Sequence, residues 1–200
     1  MDQKINITKP NEQLSLYGYE NYFDIFINLY KKNNLPNTNL LSGPKGIGKS
    51  TFIYHFANYL LSEKEDNKYS FENYTIDSSN LSFNLIKNNT HPNFYLLDNV
   101  SSDGSIKIEQ TRNLLKFLNK TSYYKKLKIV LIDNAELLNS NSSNALLKAL
   151  EEPSINTHFF IINNEPSEII DTIKSRCIKF KFHFDFNEKR NIFKKIINKF

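Results

Sequence analysis

Short apolar runs alternate along this chain with longer segments of helical periodicity. Runs typical of buried strands lie at 39–42, 94–97, 128–133 and 159–162, and 178–182 alternates like a half-exposed strand. Apolar residues three or four positions apart predict helices over 20–32, 51–61, 109–118, 142–152 and 167–174. Strands that alternate with helices favour an α/β fold, with a parallel central sheet covered by helices on both faces.

Two regions do not follow this simple alternation. Residues 62–89 are polar and rich in Asn and Ser, with a short strand at 74–76 and a helix at 81–87 as candidates. A turn is expected at 101–104. Near the end of the chain, Asn187 is expected to cap a last helix. The apolar stripe of that helix needs a partner and consists of Ile192, Phe193, Ile196, Ile197 and Phe200.

Composition and charge narrow the class of protein. The net charge of +5 suits contact with nucleic acid or acidic partners, but the lysines are scattered, as on a solvated surface. The single cysteine, Cys177, excludes an internal disulfide and a Cys-rich zinc cluster. The first residues lack the apolar core of a signal peptide, and no run of about eighteen apolar residues occurs. We therefore expect a cytoplasmic protein without membrane contact.

A glycine-rich loop follows the first strand and precedes a helix, and it matches the pattern G-x-x-x-x-G-K-[ST]. The loop and the residue after it are Gly43, Pro44, Lys45, Gly46, Ile47, Gly48, Lys49, Ser50 and Thr51. Its glycines let backbone N–H groups turn inward, Lys49 can reach the outer phosphates, and Ser50 can bind Mg²⁺. The loop predicts a binding site for a nucleoside triphosphate, although kinases, motors and switches all share it.

An acidic residue ends the predicted buried strand at 128–133. In P-loop folds, a carboxylate at such a strand end reaches the magnesium, so Asp133 is the candidate. The alternative is an ordinary aspartate at a turn. The phosphate loop favours the functional interpretation, with Ser50 and Asp133 binding Mg²⁺ together with the nucleotide.

Further segments match one protein family in the same order. They are 91–93 (His-Pro-Asn), 108–112, 132–139, 144–153 (Asn-Ala-Leu-Leu-Lys-Ala-Leu-Glu-Glu-Pro) and 175–177 (Ser-Arg-Cys). Over about residues 14–185 the chain resembles the delta prime subunits of the bacterial DNA polymerase III clamp loader. The resemblance implies an AAA+ P-loop domain over 1–185 that binds ATP with Mg²⁺, followed at 186–200 by the first helix of an incomplete helical lid.

The resemblance also implies roles for single residues and partners. Arg176 would be an arginine finger that acts in trans on a neighbour's ATP, whereas the alternative is a surface arginine paired with an acidic residue. Asn163 would sense the γ-phosphate, and Asn164 is the second candidate for this role. Tyr17-Gly18 would lie where the N-terminal segment of the family runs past the adenine. The implied partners are the delta and gamma/tau subunits and, indirectly, the sliding clamp and primer-template DNA. Many relatives carry a four-cysteine zinc module that this sequence lacks, so no zinc is expected.

The residue after Asp133 bears on catalysis. ATP-hydrolysing AAA+ proteins have a glutamate there that activates water, whereas this chain has Asn134, whose amide cannot accept a proton. We therefore expect ATP binding with weak or absent hydrolysis. The alternative is an active ATPase like the gamma/tau motor subunits, with Glu136 replacing the missing base if the backbone turns it back. A small P-loop kinase would need an arginine-bearing lid, and the chain has only three arginines, Arg112, Arg176 and Arg190.

Overall fold

The computed structural model of the chain describes residues 8–99, 104–120 and 127–197. The strands in this part are β1 (Thr38–Pro44), β2 (Phe94–Leu97), β3 (Lys128–Ile132), β4 (Thr157–Glu165) and β5 (Ile178–Lys181). The helices are α1 (Glu20–Lys31), α2 (Lys49–Leu61), α3 (Leu81–Lys87), α4 (Ile108–Asn119), α5 (Ser140–Glu151), α6 (Asp171–Lys174) and α7 (Phe186–Ile197). Short 3₁₀ turns lie at Pro10–Glu12 and Ala135–Leu137.

The strands form one parallel sheet in the order β2-β3-β4-β1-β5. Successive side chains of β4 enter two different cores, because neighbouring residues of a strand face opposite sides of the sheet. Phe160 packs with α1 and α2 on one side, and Ile161 packs with α4 and α5 on the other. The predicted three-layer α/β/α fold with a parallel central sheet is confirmed.

The polar segment 62–89 lies within the described residues and contains the expected helix α3, but no strand at 74–76. Thr75 makes only isolated bridges, to Ser15 and to Ser70. Side chains hold the segment instead: Asn58 Nδ2 donates to Asn80 Oδ1 (2.7 Å), and Asn80 Nδ2 donates to the main-chain oxygen of Asn67 (2.7 Å). A sequence pattern does not reveal hydrogen bonds of this kind.

The end of the chain differs from expectation in two helices. In place of the predicted helix over 167–174, the structure has only the single turn α6 (Asp171–Lys174). The cap of α7 is Asp185 rather than Asn187, since Asp185 Oδ1 accepts from the N–H of Glu188 (2.8 Å) and Glu188 Oε2 accepts from the N–H of Asp185 (2.7 Å). This reciprocal pair is a capping box. The expectations for Phe200, for residues 101–103 and for the first seven residues concern positions outside the described part of the chain.

Helix α7 packs against the N-terminal segment through Ile192. Gly18 makes this approach possible, because it has φ +76° and a Cβ there would lie 2.2 Å from Ile192 Cδ1. Phe186, Phe193 and Ile197 of the same helix stay exposed. The division of the chain at residue 185 remains a prediction.

No helix in the described part of the chain combines the length and apolar character needed to cross a membrane.

His55 on α2 is fully buried beside the segment that precedes α1. Its Nε2 lies 3.1 Å from the main-chain oxygen of Gln13, which can only accept, so Nε2 carries the proton and Nδ1 accepts from the hydroxyl of Tyr69 (3.1 Å). Burial lowers the pKa of His55 to about 4. The structure therefore holds this imidazole neutral.

We expect acid to destabilise the fold partly through His55. The folded pKa lies below that of an unfolded histidine, about 6.5, so the unfolded state binds the proton first and stability is lost as the pH falls from about 6.5 towards about 4. The free energy of unfolding should fall by about 2 kcal/mol from about pH 7.5 to about pH 5 through this group. Urea unfolding across that range checks the value.

The matched control for this prediction is His55→Gln, which removes the titration. Burial lowers the pKa of His91 to about 4 as well, so only the difference between the two pH curves belongs to His55. Parallel curves for the variant and the unchanged chain would contradict the prediction.

Candidate nucleotide-binding site

The glycine-rich loop lies at the carboxyl edge of the sheet, between β1 and α2. Gly46 (φ +81°) and Gly48 (φ +96°) are left-handed, which turns the chain tightly into the first turn of α2. Gly43 is needed for a different reason, because a Cβ there would lie 2.3 Å from the main-chain oxygen of Phe182. Lys49 is buried, and its Nζ donates to the oxygens of Gly43 (2.8 Å) and Pro44 (2.7 Å). Lys49 therefore lies against the inner side of the loop.

Tyr19 supports the loop from outside. Its hydroxyl donates to the main-chain oxygen of Ile47 (3.0 Å), and its ring packs 5.2 Å from that of Phe52 on α2. The sequence pattern did not single out Tyr19, although it follows Tyr17-Gly18 directly. The N-terminal segment thus runs beside the loop. Of the remaining loop positions, Lys45 is exposed and Thr51 is half-buried in α2.

Ser50 and Asp133 meet at the mouth of the loop, where Ser50 Oγ donates to Asp133 Oδ2 at 2.5 Å. Burial is the main cause that raises the pKa of Asp133, and the charges of Asp98 and Glu136 raise it further. The hydrogen bonds from Ser50 and from the N–H of Asn134 act in the opposite direction. Burial likewise lowers the pKa of Lys49, against the attraction of Asp133, Glu136 and Glu165. The ammonium group of Lys49 is therefore close enough to these three carboxylates to interact with them electrostatically.

The hydroxyl of Ser50 and the carboxylate of Asp133 fit a magnesium ion that comes with a nucleotide. Both are hard oxygen ligands, and Mg²⁺ usually takes only one or two protein carboxylates and completes its shell with water and phosphate oxygens. In residues 8–99, 104–120 and 127–197, no group of three or more His, Cys, Asp or Glu side chains could hold a metal ion. A magnesium ion that binds together with a nucleotide does not require such a group of side chains.

The backbone turns sharply at Asn134. Its φ of 54° and ψ of 49° are left-handed, a conformation that asparagine tolerates better than most residues, and the 3₁₀ turn Ala135–Leu137 follows. The turn brings the carboxylate of Glu136 back to the edge of the sheet. Asn164 donates to both of its oxygens, from Nδ2 to Oε1 (2.8 Å) and from the main-chain N–H to Oε2 (3.3 Å).

Asp98, Asn134, Asn164 and Glu136 form a chain of side chains that we call the edge network. Asn134 Nδ2 donates to Asp98 Oδ1 (2.8 Å), and Asn164 Nδ2 donates to Asn134 Oδ1 (2.9 Å). The network joins the ends of β2, β3 and β4. Sequence reasoning missed Asp98, although it directly follows an apolar strand, as Asp133 does.

Asn163 lies on the other face of β4. Its Nδ2 donates to the main-chain oxygen of Ser167 (3.1 Å), and its Oδ1 is buried with no hydrogen-bond partner among the described residues. Because side chains alternate along a strand, only Asn164 of the two candidates joins the edge network. The assignment of a phosphate sensor to either residue remains a prediction.

Arg176 lies at the amino edge of the sheet, opposite the carboxyl edge that carries the glycine-rich loop. Its main-chain oxygen accepts from Thr38 Oγ1 (2.6 Å) at the start of β1, whereas the glycine-rich loop follows the end of β1, roughly 20 Å away at the rise of a parallel strand. The guanidinium donates through Nε and Nη2 to Glu151 Oε1, with Nε at 2.8 Å, and through Nη1 to the oxygen of Thr172 (2.7 Å). The pairing with an acidic residue is therefore present, and Arg176 is remote from the loop of its own chain.

Solved structures share this architecture. The fold superposes on a DNA polymerase III gamma subunit-related protein of Thermotoga maritima with a TM-score of 0.53 and 16% identity, covering 82% of this chain and 48% of that one. It superposes on the RuvB Holliday junction branch migration motor of Thermotoga maritima with a TM-score of 0.55 and 18% identity, covering 95% and 55%. The sheet order and the glycine-rich loop define a P-loop domain of the three-layer α/β/α class.

Sequence relatives identify the branch of that class. The family model described as DNA polymerase III, delta subunit, matches residues 18–185. The DNA polymerase III subunit delta' of Pseudomonas aeruginosa is 36% identical over 140 residues, 70% of this chain and 41% of that protein. The subunit delta' of Escherichia coli is 28% identical over 155 residues, 78% and 45%. The chain belongs to the delta prime family of DNA polymerase III clamp-loader subunits, and it spans less than half the length of these two relatives.

Proposed function

We propose that this chain is a clamp-loader subunit that binds ATP, hydrolyses it poorly, and contributes Arg176 to the ATP site of a neighbouring subunit. The observation that supports weak hydrolysis is the asparagine at position 134. Its amide cannot take a proton from water, and both of its side-chain polar atoms are engaged in the edge network. The proposed partners are the delta and gamma/tau subunits in the cytoplasm and, indirectly, the sliding clamp and primer-template DNA.

ATP with Mg²⁺ is the proposed ligand of the loop. The N–H groups at the start of α2 and the ammonium of Lys49 would hold the phosphates, and Ser50 with Asp133 would hold the ion. The ion would neutralise phosphate charge, and without a glutamate at position 134 the bound nucleotide would be cleaved only slowly. ATP then serves this chain as a structural ligand.

The position of Arg176 supports action in trans. An arginine roughly 20 Å from the loop of its own chain cannot stabilise charge on that chain's nucleotide. It lies at the surface, with its side chain 26% exposed, where a neighbouring subunit could meet it. Its planar fork of donors suits the phosphoryl oxygens of a second nucleotide.

Steady-state hydrolysis by the purified chain tests this proposal. We expect turnover no faster than about 10⁻³ s⁻¹, the order of a P-loop protein without its catalytic partner groups. Turnover near about 1 s⁻¹ that Lys49→Ala abolishes would contradict weak hydrolysis.

One observation favours a second candidate, an active ATPase resembling the gamma/tau motor subunits. The left-handed turn at Asn134 brings the carboxylate of Glu136 to the site, where a base would be needed. If Glu136 is that base, Glu136→Gln lowers turnover by about a hundredfold or more. Under the first proposal, the same variant leaves the slow rate unchanged.

A further inference from the structure

The main chain at Arg176 is held by a threonine of the first strand. Thr38 Oγ1 donates to the main-chain oxygen of Arg176 (2.6 Å), and Thr38 is 8% exposed. We infer that Thr38 is a positioning residue for Arg176, because its hydroxyl fixes the main chain from which the guanidinium reaches a neighbouring subunit. The inference rests on the proposed action of Arg176 in trans, and it adds the residue that keeps this arginine in place.

Thr38 is a fixed donor because it belongs to the sheet. It is the first residue of β1, which lies between β4 and β5 and pairs with both. The N–H of Phe159 donates to the oxygen of Asn37 (2.7 Å), so the main chain is already tied to β4 one residue before Thr38. A β-branched side chain such as that of threonine also has few χ1 rotamers. The hydroxyl of Thr38 therefore has a defined direction relative to the sheet.

Arg176 has less support from secondary structure of its own. It lies between the single turn α6 and strand β5, and its N–H donates to the oxygen of Ile173 (3.1 Å). A helix of four residues is not stable by itself, because so few hydrogen bonds do not offset the ordering of its backbone. The bond from Thr38 therefore adds a direct link between this residue and the sheet.

The side chain of Arg176 is held at a second point. Its guanidinium donates to Glu151 Oε1 and to the main-chain oxygen of Thr172. These contacts must break before the guanidinium can reach a phosphate on another subunit, whereas the bond from Thr38 to the main chain can persist. Because the main chain stays in place, the search for the phosphate is limited to rotations of the arginine side chain. Loss of the Thr38 hydroxyl would widen that search and displace the guanidinium from the phosphoryl group.

Three variants test the inference: Thr38→Val, Thr38→Ser and Thr157→Val. Valine has nearly the shape of threonine but no hydroxyl, and serine keeps the hydroxyl. Thr157→Val is the matched control, because Thr157 is the first residue of β4, is 1% exposed, and has a hydroxyl with no hydrogen-bond partner among the described residues. This control removes a buried hydroxyl from the same edge of the sheet without removing a bond to Arg176.

The first measurement is the rate at which iodoacetamide alkylates Cys177 in the folded chain without nucleotide. Cys177 is the only cysteine of the sequence, follows Arg176 directly and is half-buried, and burial raises the pKa of its thiol to about 11. Alkylation therefore depends on local opening of this segment. Thr38→Val should speed it about tenfold, the equivalent of one lost hydrogen bond, whereas Thr38→Ser and Thr157→Val should stay within about twofold. Urea unfolding of each variant separates local opening from global unfolding.

The second measurement is ATP turnover by the neighbouring subunit in a reconstituted clamp loader. Thr38→Val should lower kcat about tenfold and leave the KM for ATP within about twofold, because a misplaced arginine weakens stabilisation of the transition state more than binding of ATP. Thr38→Ser and Thr157→Val should retain turnover. In an Arg176→Ala background, Thr38→Val should cause no further loss, since a positioning residue acts only through the residue that it holds. Arg176→Ala keeps the main-chain oxygen, so the bond from Thr38 is still present there.

Each other result overturns the inference. Unchanged alkylation of Cys177 in Thr38→Val shows that the hydroxyl does not hold the segment, and equal acceleration in Thr157→Val shows a general loosening of this edge. Faster alkylation without a loss of kcat shows that the held segment does not serve Arg176, although the proposed function would stand. A loss of kcat that persists in the Arg176→Ala background shows that Thr38 acts elsewhere. If Arg176→Ala itself leaves the neighbour's turnover undiminished, the proposed action in trans fails, and the alkylation rates still decide whether Thr38 holds this segment.

Discussion

Replacing Arg176 with alanine is expected to slow ATP hydrolysis at the neighbouring subunit of a reconstituted clamp loader by about a thousandfold. An arginine finger stabilises the charge that develops on the transferring phosphoryl group, and its loss leaves that charge without its strongest donor. ATP binding by this chain itself should not change, because Arg176 and the glycine-rich loop lie at opposite edges of the sheet. The measurement is steady-state turnover of the assembled complex.

Two control variants make the Arg176 prediction sharp. Arg112→Ala removes an exposed arginine whose Nη1 lies 3.7 Å from Glu109 Oε1, and turnover should stay within about twofold, as for a surface ion pair. Arg176→Lys should be nearly as inactive as alanine, because a lysine cannot present the planar fork of donors. Undiminished turnover with Arg176→Ala would refute action in trans.

Misfolding would not explain a loss of activity in Arg176→Ala. The ion pair between Arg176 and Glu151 is partly exposed, with side chains 26% and 48% accessible, so its removal should cost less than about 1 kcal/mol of unfolding free energy. Urea unfolding of the variant checks this. The pair also has a functional consequence: Arg176 must leave Glu151 before it can reach a nucleotide on another subunit.

The sheet was the part of the fold that the sequence predicted best. Strands β1, β3 and β4 are buried on both faces, so they appear in the sequence as continuous apolar runs. Strand β4 nevertheless extends beyond the predicted 159–162 to Glu165. Its last residues pair with β1 through main-chain hydrogen bonds, which do not depend on apolar side chains. Hydrophobic patterning therefore marks where a strand is buried better than where it ends.

The glycine-rich loop was recognisable because its residues are consecutive, and the edge network was not. Asp98 and Asn134 come after β2 and β3, Asn164 lies near the end of β4, and only the parallel register brings the three residues together. The approach of Glu136 depends on the left-handed backbone of Asn134, which the sequence allows but does not dictate. Tertiary contacts thus decide which polar residues at the strand ends share a site.

The second large effect is expected from Lys49→Ala, which should weaken ATP binding by about a hundred- to a thousandfold, or roughly 3–4 kcal/mol. Lys49 is 3% exposed and its ammonium lies against the loop, so it would contribute a buried positive charge to the phosphates at little cost in side-chain ordering. Titration with a fluorescent ATP analogue measures the change. Lys45→Ala is the matched control, because Lys45 is exposed in the same loop and its loss should weaken binding by no more than about fivefold.

The Lys49 variant also separates the two proposed activities of the chain. A reconstituted complex with Lys49→Ala should retain the neighbour's ATP turnover, since Arg176 is unchanged and lies at the far edge of the sheet, roughly 20 Å from the loop. Loss of turnover in that complex, with assembly intact, would mean that ATP bound by this chain is needed to place Arg176. Unchanged ATP binding by Lys49→Ala would mean that the glycine-rich loop is not the nucleotide site, and the proposed structural role of ATP would fail with it.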